Sequence, residues 1–576
     1  MTNNVRAALS DPAALLNTER LWSHLSAFSS TVRSSGSPEE LEAFRYAQQF
    51  LDAQGLSTRL LTHRAYVSIP GRGRLLLGDE EIDCSPNAMG LPTPGTEGRL
   101  VEATAEADLS GMIALCHGLA TPKAVKELRE RGASGAVFIN GEQRYEMVLS
   151  PVWGSPDDRN LRELPDIPVV SVAGNDGPPL LEAARNGGSV RLETELDTSW
   201  RDLPLLEADL QAAKGDGSLV LFSGHIDAWH LGAMDNGGAN ATMLEVAAAL
   251  AGVRSQLRRS IRFLFWSGHS HGRYAGSQWY ADNRFEELHD QALIHINIDS
   301  VGAKGATVLG EAPSMAELHT LAADVIASEV DQPYSGNRME RAGDQSFFGH
   351  GVSSVFMGLS EQPKTAADVS SDGFASLFGG GRTGGFGWWW HTPEDTIDKL
   401  DPANLARDAR VYLRLAWRCC SETVPPLQYS HTAAELSARL TQLQTAAGAM
   451  FDLSVAITRA GLLQRRLVQL EEAFAADPAR ADWRVLKALG HILVPLNYVA
   501  GPVHHHDPAL AQPALPALAG TLELAGESDP DMLEHLLVRL TRERNYVQLA
   551  LRSAIELAER TLAALQEETQ NDARTV

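Results

Sequence analysis

The sequence predicts an α/β protein with a mostly parallel central sheet, an inserted α+β unit and a C-terminal helical region. Three observations carry that reading. Between about 205 and 425, apolar runs at 218–222, 261–266 and 292–298 alternate with amphipathic patterns, the clearest at 242–250. Between 66 and 200, short apolar runs and turn residues dominate, and beyond 430 apolar residues recur at helical spacing. A chain of 576 residues exceeds one compact core, so about three domains are expected.

Taken in order, Pro38-Glu39-Glu40-Leu41 opens a helix that continues through Phe44, Tyr46, Phe50 and Leu51, and Gly55 stands where a C-cap glycine belongs. A strand is expected over 57–61. In the next segment strands are expected at 111–116, 135–139 and 167–172, with helices at 123–131, closed by Gly132, and at 179–186. This βαβ pattern could pack a core of its own. Pro425-Pro426 breaks the chain after the α/β segment. Helices are then expected at 433–450, 459–475, 530–540 and 546–566, interrupted by the loop Gly501-Pro502-Val503-His504-His505-His506-Asp507-Pro508. The domain boundaries that follow are 1–65 with 205–425, 66–200, and 430–576.

The hydrophobic share of 44% and charged share of 21% are those of an ordinary globular protein. A formal net charge of −24 argues against nucleic acid or an anionic membrane as partner, because either would be repelled. No apolar run reaches the length of a membrane span, and Asp11 and Glu19 stand where a signal core would lie, so a cytoplasmic protein is expected. Four cysteines, Cys84, Cys116 and the adjacent Cys419-Cys420, have neither zinc-finger nor redox spacing and are read as buried thiols.

Four clusters at expected strand ends carry chemistry. Ser223-Gly224-His225-Ile226-Asp227-Ala228-Trp229 follows an apolar strand, and residues two apart on extended chain point the same way. An imidazole with a carboxylate on its far side is how metal ligands are commonly steadied. Gly232-Ala233-Met234-Asp235-Asn236-Gly237-Gly238 is a tight turn feeding a helix, where Asp235 could be a ligand or a cap. Asn297-Ile298-Asp299-Ser300 ends a buried strand, and Trp390-His391-Thr392-Pro393-Glu394-Asp395-Thr396 places a histidine beside a helix start. Such strand ends of a parallel sheet converge on a ligand-binding crevice, and nitrogen with carboxylate donors suits zinc.

Together the four clusters resemble the co-catalytic di-zinc aminopeptidase and glutamate-carboxypeptidase family, in order, spacing and flanking residues. The resemblance extends to its three-domain members, transferrin-receptor-like and carboxypeptidase-Q-like. It implies a zinc-peptidase-type α/β sandwich, a protease-associated insert over 66–200 and a helical dimerisation domain over 430–576. It also implies that His225, Asp235 and Asp299 hold a first metal, that Asp235 and His391 hold a second, and that Asp227 steadies His225.

The chain departs from the family at one point. Two consecutive glutamates, a base and a ligand, are expected after the third core strand. Here the sequence reads Ser267-Gly268-His269-Ser270-His271-Gly272-Arg273-Tyr274-Ala275-Gly276. His269 falls on the base position and Ser270 on the ligand position, while one extra residue lets His271 claim either role. Histidine titrates near neutrality and can carry a proton. Three readings follow: a peptide or amide hydrolase with a histidine base, a single-metal amidase or carbamate hydrolase acting on a small molecule, and an inactive binding relative. One or two zinc ions per chain and a homodimer are expected. Arg273, Arg338 and Arg341 could hold a substrate carboxylate, Trp390 with Trp388 and Trp389 could wall a pocket, and one of His504, His505 and His506 could reach it.

Overall fold

The computed structural model describes residues 12–356, 358–364 and 385–575. Its centre is a twisted sheet ordered Ser353–Phe356, Ala292–Asn297, Leu219–His225, Ser260–Trp266 and Ser189–Leu210. The first four are mutually parallel, with Trp266 opposite His225 and Asn297 opposite Ser223. The last runs antiparallel to its neighbour, Ile261 facing Leu210. Strands 219–225 and 292–297 are buried along their whole length, as expected for parallel strands covered on both faces. The helices Ala239–Gly252, Thr18–Phe28 and Pro402–Ser421 pack together over one face. This order sends the C-terminal ends of three adjacent parallel strands to one edge, where His225, the 267–274 turn and Asp299 follow.

The α/β core and the insert share their longest strands. Ser57–Leu77 runs unbroken through residue 65 and pairs antiparallel with Ser189–Leu210, which runs through residue 200. The expected strand 57–61 is only the first quarter of that arm. Its alternating exposure hides the continuation, because a strand lying half on the surface carries polar residues at every second position. Beyond this ladder the insert adds Thr93–Glu102, Ile113–His117, Gly135–Ile139 and Val169–Val172 in parallel register, with the helices Pro122–Glu130 and Gly177–Arg185 beside them.

The C-terminal region is helical: Tyr429–Ala447, Ser454–Ala476, Trp483–Tyr498 and Pro530–Thr575. The last is one continuous helix, where the sequence suggested two. Trp483–Tyr498, not singled out in the sequence, docks this region on the α/β unit. A Cβ on Gly490 would stand 2.6 Å from the Gly351 carbonyl and 2.7 Å from the Tyr429 hydroxyl, so only glycine permits that approach. All four thiols are free, and burial pushes Cys84, Cys116 and Cys420 up to about 12. No described helix is long and apolar enough to cross a membrane.

Buried histidines tie the fold's stability to pH. His63, on the long arm against Trp279, is held neutral by burial, its pKa lowered to about 4. Between pH 6.5 and 4 the unfolded chain binds the proton that the folded chain refuses, so stability is full above 6.5 and falls as pH drops through that window. His63→Leu should therefore be favoured relative to the wild type by about 2 kcal/mol more at pH 5 than at pH 7.5. Urea unfolding of both proteins at the two pH values measures this, and a constant difference would sink it.

Candidate metal centre

The centre is assembled from four chain segments at the strand ends. The 226–232 loop is held by Arg33, fully buried, whose guanidinium donates to the carbonyls of Ile226 (2.9 Å), Leu231 (2.8 Å) and Gly232 (3.0 Å), and also to that of Phe28. Gly232 is left-handed (φ 53°), and a Cβ there would meet the Asp235 carbonyl at 2.3 Å. Asp395 accepts from the Met234 and Asp235 amides (2.9 and 3.0 Å), and burial pushes its carboxyl up to about 7. The His391-Thr-Pro-Glu-Asp395 segment therefore supplies a side chain at one end and fixes the Asp235 turn with the other.

Asp235 lies between two imidazoles. Its Oδ1 is 3.2 Å from His225 Nε2 and its Oδ2 is 3.0 Å from His391 Nε2. Asp299 Oδ2 is 3.7 Å from the same His225 nitrogen. Burial alone would raise the Asp235 carboxyl, but His225 and His391 outweigh it and hold the group well below the usual carboxylate range. Apart from their 3.2 Å approach to each other, His225 Nε2 and Asp235 Oδ1 are buried without a hydrogen-bond partner. Buried polar atoms are rarely left so, and a cation between them would satisfy both. The donor set, two imidazoles and two carboxylates with Asp235 able to bridge, fits zinc.

His391 Nδ1 donates to the Glu146 carbonyl (2.7 Å) and His225 Nδ1 to the Asp227 carbonyl (2.8 Å), which turns both Nε2 atoms inward. The first contact comes from the insert, so that unit orients a metal-site residue. The second corrects the expected role of Asp227. Its main-chain carbonyl accepts the hydrogen bond from His225 Nδ1–H, while the carboxylate Oδ1 stands farther off, at 3.6 Å. That carboxylate instead accepts from the His269 amide (3.3 Å), the Ser270 amide (2.9 Å) and the Ser35 hydroxyl (2.7 Å). Asp227 thus holds the histidine turn in place.

His269 and His271 part ways. The His269 ring lies on the His225 ring, centroids 3.7 Å apart and planes within 9°, and its Nδ1 is 2.7 Å from Asp344 Oδ2. One donor atom each from His225, His269 and Asp299 lies within 4.8 Å of the others. His271 faces away from the cavity, its Nδ1 against the Ser35 hydroxyl (2.9 Å), and burial lowers its pKa to about 4. It is thus neither base nor ligand in this arrangement, because Ser35 and Asp227 pack it behind the turn. Asp344 and Ser35 were not among the residues singled out. Asp344 sits in the irregular stretch Gly343-Asp344-Gln345-Ser346, and neither it nor Ser35 carries a local signal.

The cavity, about 40 Å³, is lined by Asp235, Asp299, His269, Ser270, Arg273 and Tyr274, with Trp229, Trp390, His391 and the insert's Met147 and Val148 around them. Trp390 stacks on His391 (3.5 Å), whereas Trp388 is exposed. The histidine loop does not reach the cavity: His505 lies with His504 and His506 on an outer cleft with Asp157 and Asp282, because His506 is drawn to Asp282 (2.8 Å). The same loop does touch the wall through Ala509, whose carbonyl accepts from Arg273 (3.2 Å). Arg273, Tyr274, Ser300, Asp344 and His391 all adopt left-handed backbone (φ 50°, 73°, 43°, 54° and 57°). Such strain in non-glycine residues gathers at functional sites.

Buried imidazole and carboxylate donors at the strand ends of an α/β unit make this a candidate metal centre. Residues 208–416, most of the α/β unit, match the model described as Peptidase family M28. Carboxypeptidase Q of Xenopus laevis is 26% identical over 141 residues, covering 24% of this chain and 29% of its own length. Aminopeptidase YwaD of Bacillus subtilis (strain 168) is 23% identical over 303 residues, covering 52% of this chain and 60% of its own. The chain thus spans less than two thirds of either relative. Among solved structures, BSAP, a zinc aminopeptidase from Bacillus subtilis, superposes with a TM-score of 0.53 at 19% identity, over 71% of this chain and 96% of that one. That likeness is one of fold.

Proposed function

We propose that the chain is a zinc-dependent hydrolase of amide or peptide bonds in which His269 replaces the usual carboxylate base. The observation that carries the reading is the convergence of buried His225 Nε2 and Asp235 Oδ1 with Asp299 and His269, the last held by Asp344. His225, Asp235 and Asp299 would hold the principal ion, and Asp235 with His391 a weaker one, since Ser270 occupies the place of a carboxylate ligand. Zinc held there would supply Lewis-acid chemistry, polarising a carbonyl and activating water. His269 then takes the remaining proton at Nε2 and returns it to the leaving amine. Asp344 accepts the Nδ1–H, which fixes the tautomer with a basic Nε2 and steadies the imidazolium.

Metal analysis after dialysis tests this reading first. One zinc per chain should remain, with the second absent or weakly held. No bound metal, or no turnover by the zinc-loaded protein on aminoacyl, N-acyl and γ-glutamyl amides, would overturn it.

We also propose a cytoplasmic homodimer joined through the helical region. Met532, Val538 and Leu549 on the last helix, and Val468 on Ser454–Ala476, leave about 40–50% of their surface exposed, which supports a partner there. Sedimentation at micromolar concentration should give a dimer, and a monomer would overturn it.

A further inference from the structure

We propose that the substrate carries a free carboxylate close to the bond cut, and that Arg273 receives it. The inference rests on the hydrolase reading and names its substrate class.

The cavity is asymmetric in charge. Its only carboxylates among the described residues are Asp235 and Asp299, both committed to the metal position. It offers no spare acid to hold the ammonium of a free N-terminus. It does offer a spare cation. Arg273 lines the cavity and is 6% exposed, yet no described carboxylate pairs with it. Its one side-chain hydrogen bond is from Nη2 to the Ala509 carbonyl (3.2 Å), its guanidinium stands 5.0 Å from the Tyr274 ring centroid, and its Nε is buried without a partner. A buried guanidinium is normally paired, and its fork matches a carboxylate.

The other two candidate arginines do not line the cavity. Arg338 pairs with Glu435 (2.6 Å) and lies over Tyr498. Arg341 donates to the Gln345 and Asp507 carbonyls and lies over Trp153, outside the cavity. Arg273 is also held by neighbours from other parts of the chain. Tyr274 stacks on Trp153 of the insert (4.4 Å), Gly154 donates to the Arg273 carbonyl (2.6 Å), and Ala509 comes from the helical region. Three parts of the chain thus position one unpaired cation. It lines the same cavity as Asp235 and His269, so an anion held there shares that cavity with the proposed metal and base.

Two arms test the proposal on the zinc-loaded, full-length protein. In the first, calorimetry compares 3-phenylpropanoate with 3-phenylpropanol, which differ in the anionic group and contain no bond to cut. The acid should bind about ten- to a hundred-fold tighter, Arg273→Met should abolish that preference, and Arg273→Lys should keep part of it. Zinc content and circular dichroism show whether each variant is folded, and Arg273→Lys carries the test if Arg273→Met is not. Equal binding of acid and alcohol, or a preference that survives in the folded Arg273→Met protein because zinc takes the anion, would overturn the proposal. In the second arm, N-benzoylalanine should be cleaved in preference to N-benzoylalaninamide by a similar factor, and Arg273→Met should raise KM more than it lowers kcat. Turnover confined to substrates with a free amine would refute the carboxylate receptor and leave the hydrolase intact. No turnover at all would refute the hydrolase, and the binding arm would still decide the receptor.

Discussion

Asp235→Ala should strip the protein of its metal and of its turnover together. Among the described residues the carboxylate alone is placed to serve both His225 and His391, at 3.2 and 3.0 Å, and without it two buried imidazoles face each other with no anion between. The substitution should leave the fold standing, because Asp395 holds the turn through the main-chain amides of Met234 and Asp235 and not through the Asp235 side chain. Loss of metal would then reflect a missing ligand. Zinc content by atomic absorption, read beside circular dichroism, measures the effect. Wild-type zinc in a folded Asp235→Ala protein would remove Asp235 from the centre.

The second large effect is at His269. His269→Ala should lower kcat by about a hundred- to ten-thousand-fold, the usual contribution of a general base, while the principal zinc stays bound. Retention of the metal separates this loss from that at Asp235. Asp344→Asn offers a finer probe. Its amide can donate to Nδ1, which would drive the proton to Nε2 and leave the wrong tautomer facing the substrate, at a loss of about ten- to a hundred-fold. Wild-type turnover in both His269→Ala and His271→Ala would exclude a histidine base. A second tightly held zinc coordinated by His269 would instead make that residue a ligand.

The amino-acid sequence by itself determined the α/β class, the helical C-terminal region and four of the site's side chains. Each rests on a local signal: a fully apolar strand such as 219–225, a polar donor just past its end, and a glycine turn such as 232–238. What local pattern cannot carry is the partner of each group. The proton on His225 goes to a carbonyl two residues away, and the Asp227 carboxylate goes to the histidine turn, because backbone direction decides which acceptor is nearest. His269 and His271 are indistinguishable in Gly268-His269-Ser270-His271-Gly272, yet one faces the cavity and the other faces Ser35, from a segment more than 230 residues away.

The same holds at the edges of the centre. Glu146 of the insert turns His391, Asp344 turns His269, and Ala509 of the helical region touches Arg273. None of these contacts has a sequence spacing, since each joins segments brought together only when the three parts of the chain pack. Only the tertiary structure decided that Arg273 lines the cavity while Arg338 and Arg341 do not. A lone cation is a property of everything around it, and a linear sequence lists residues without their surroundings.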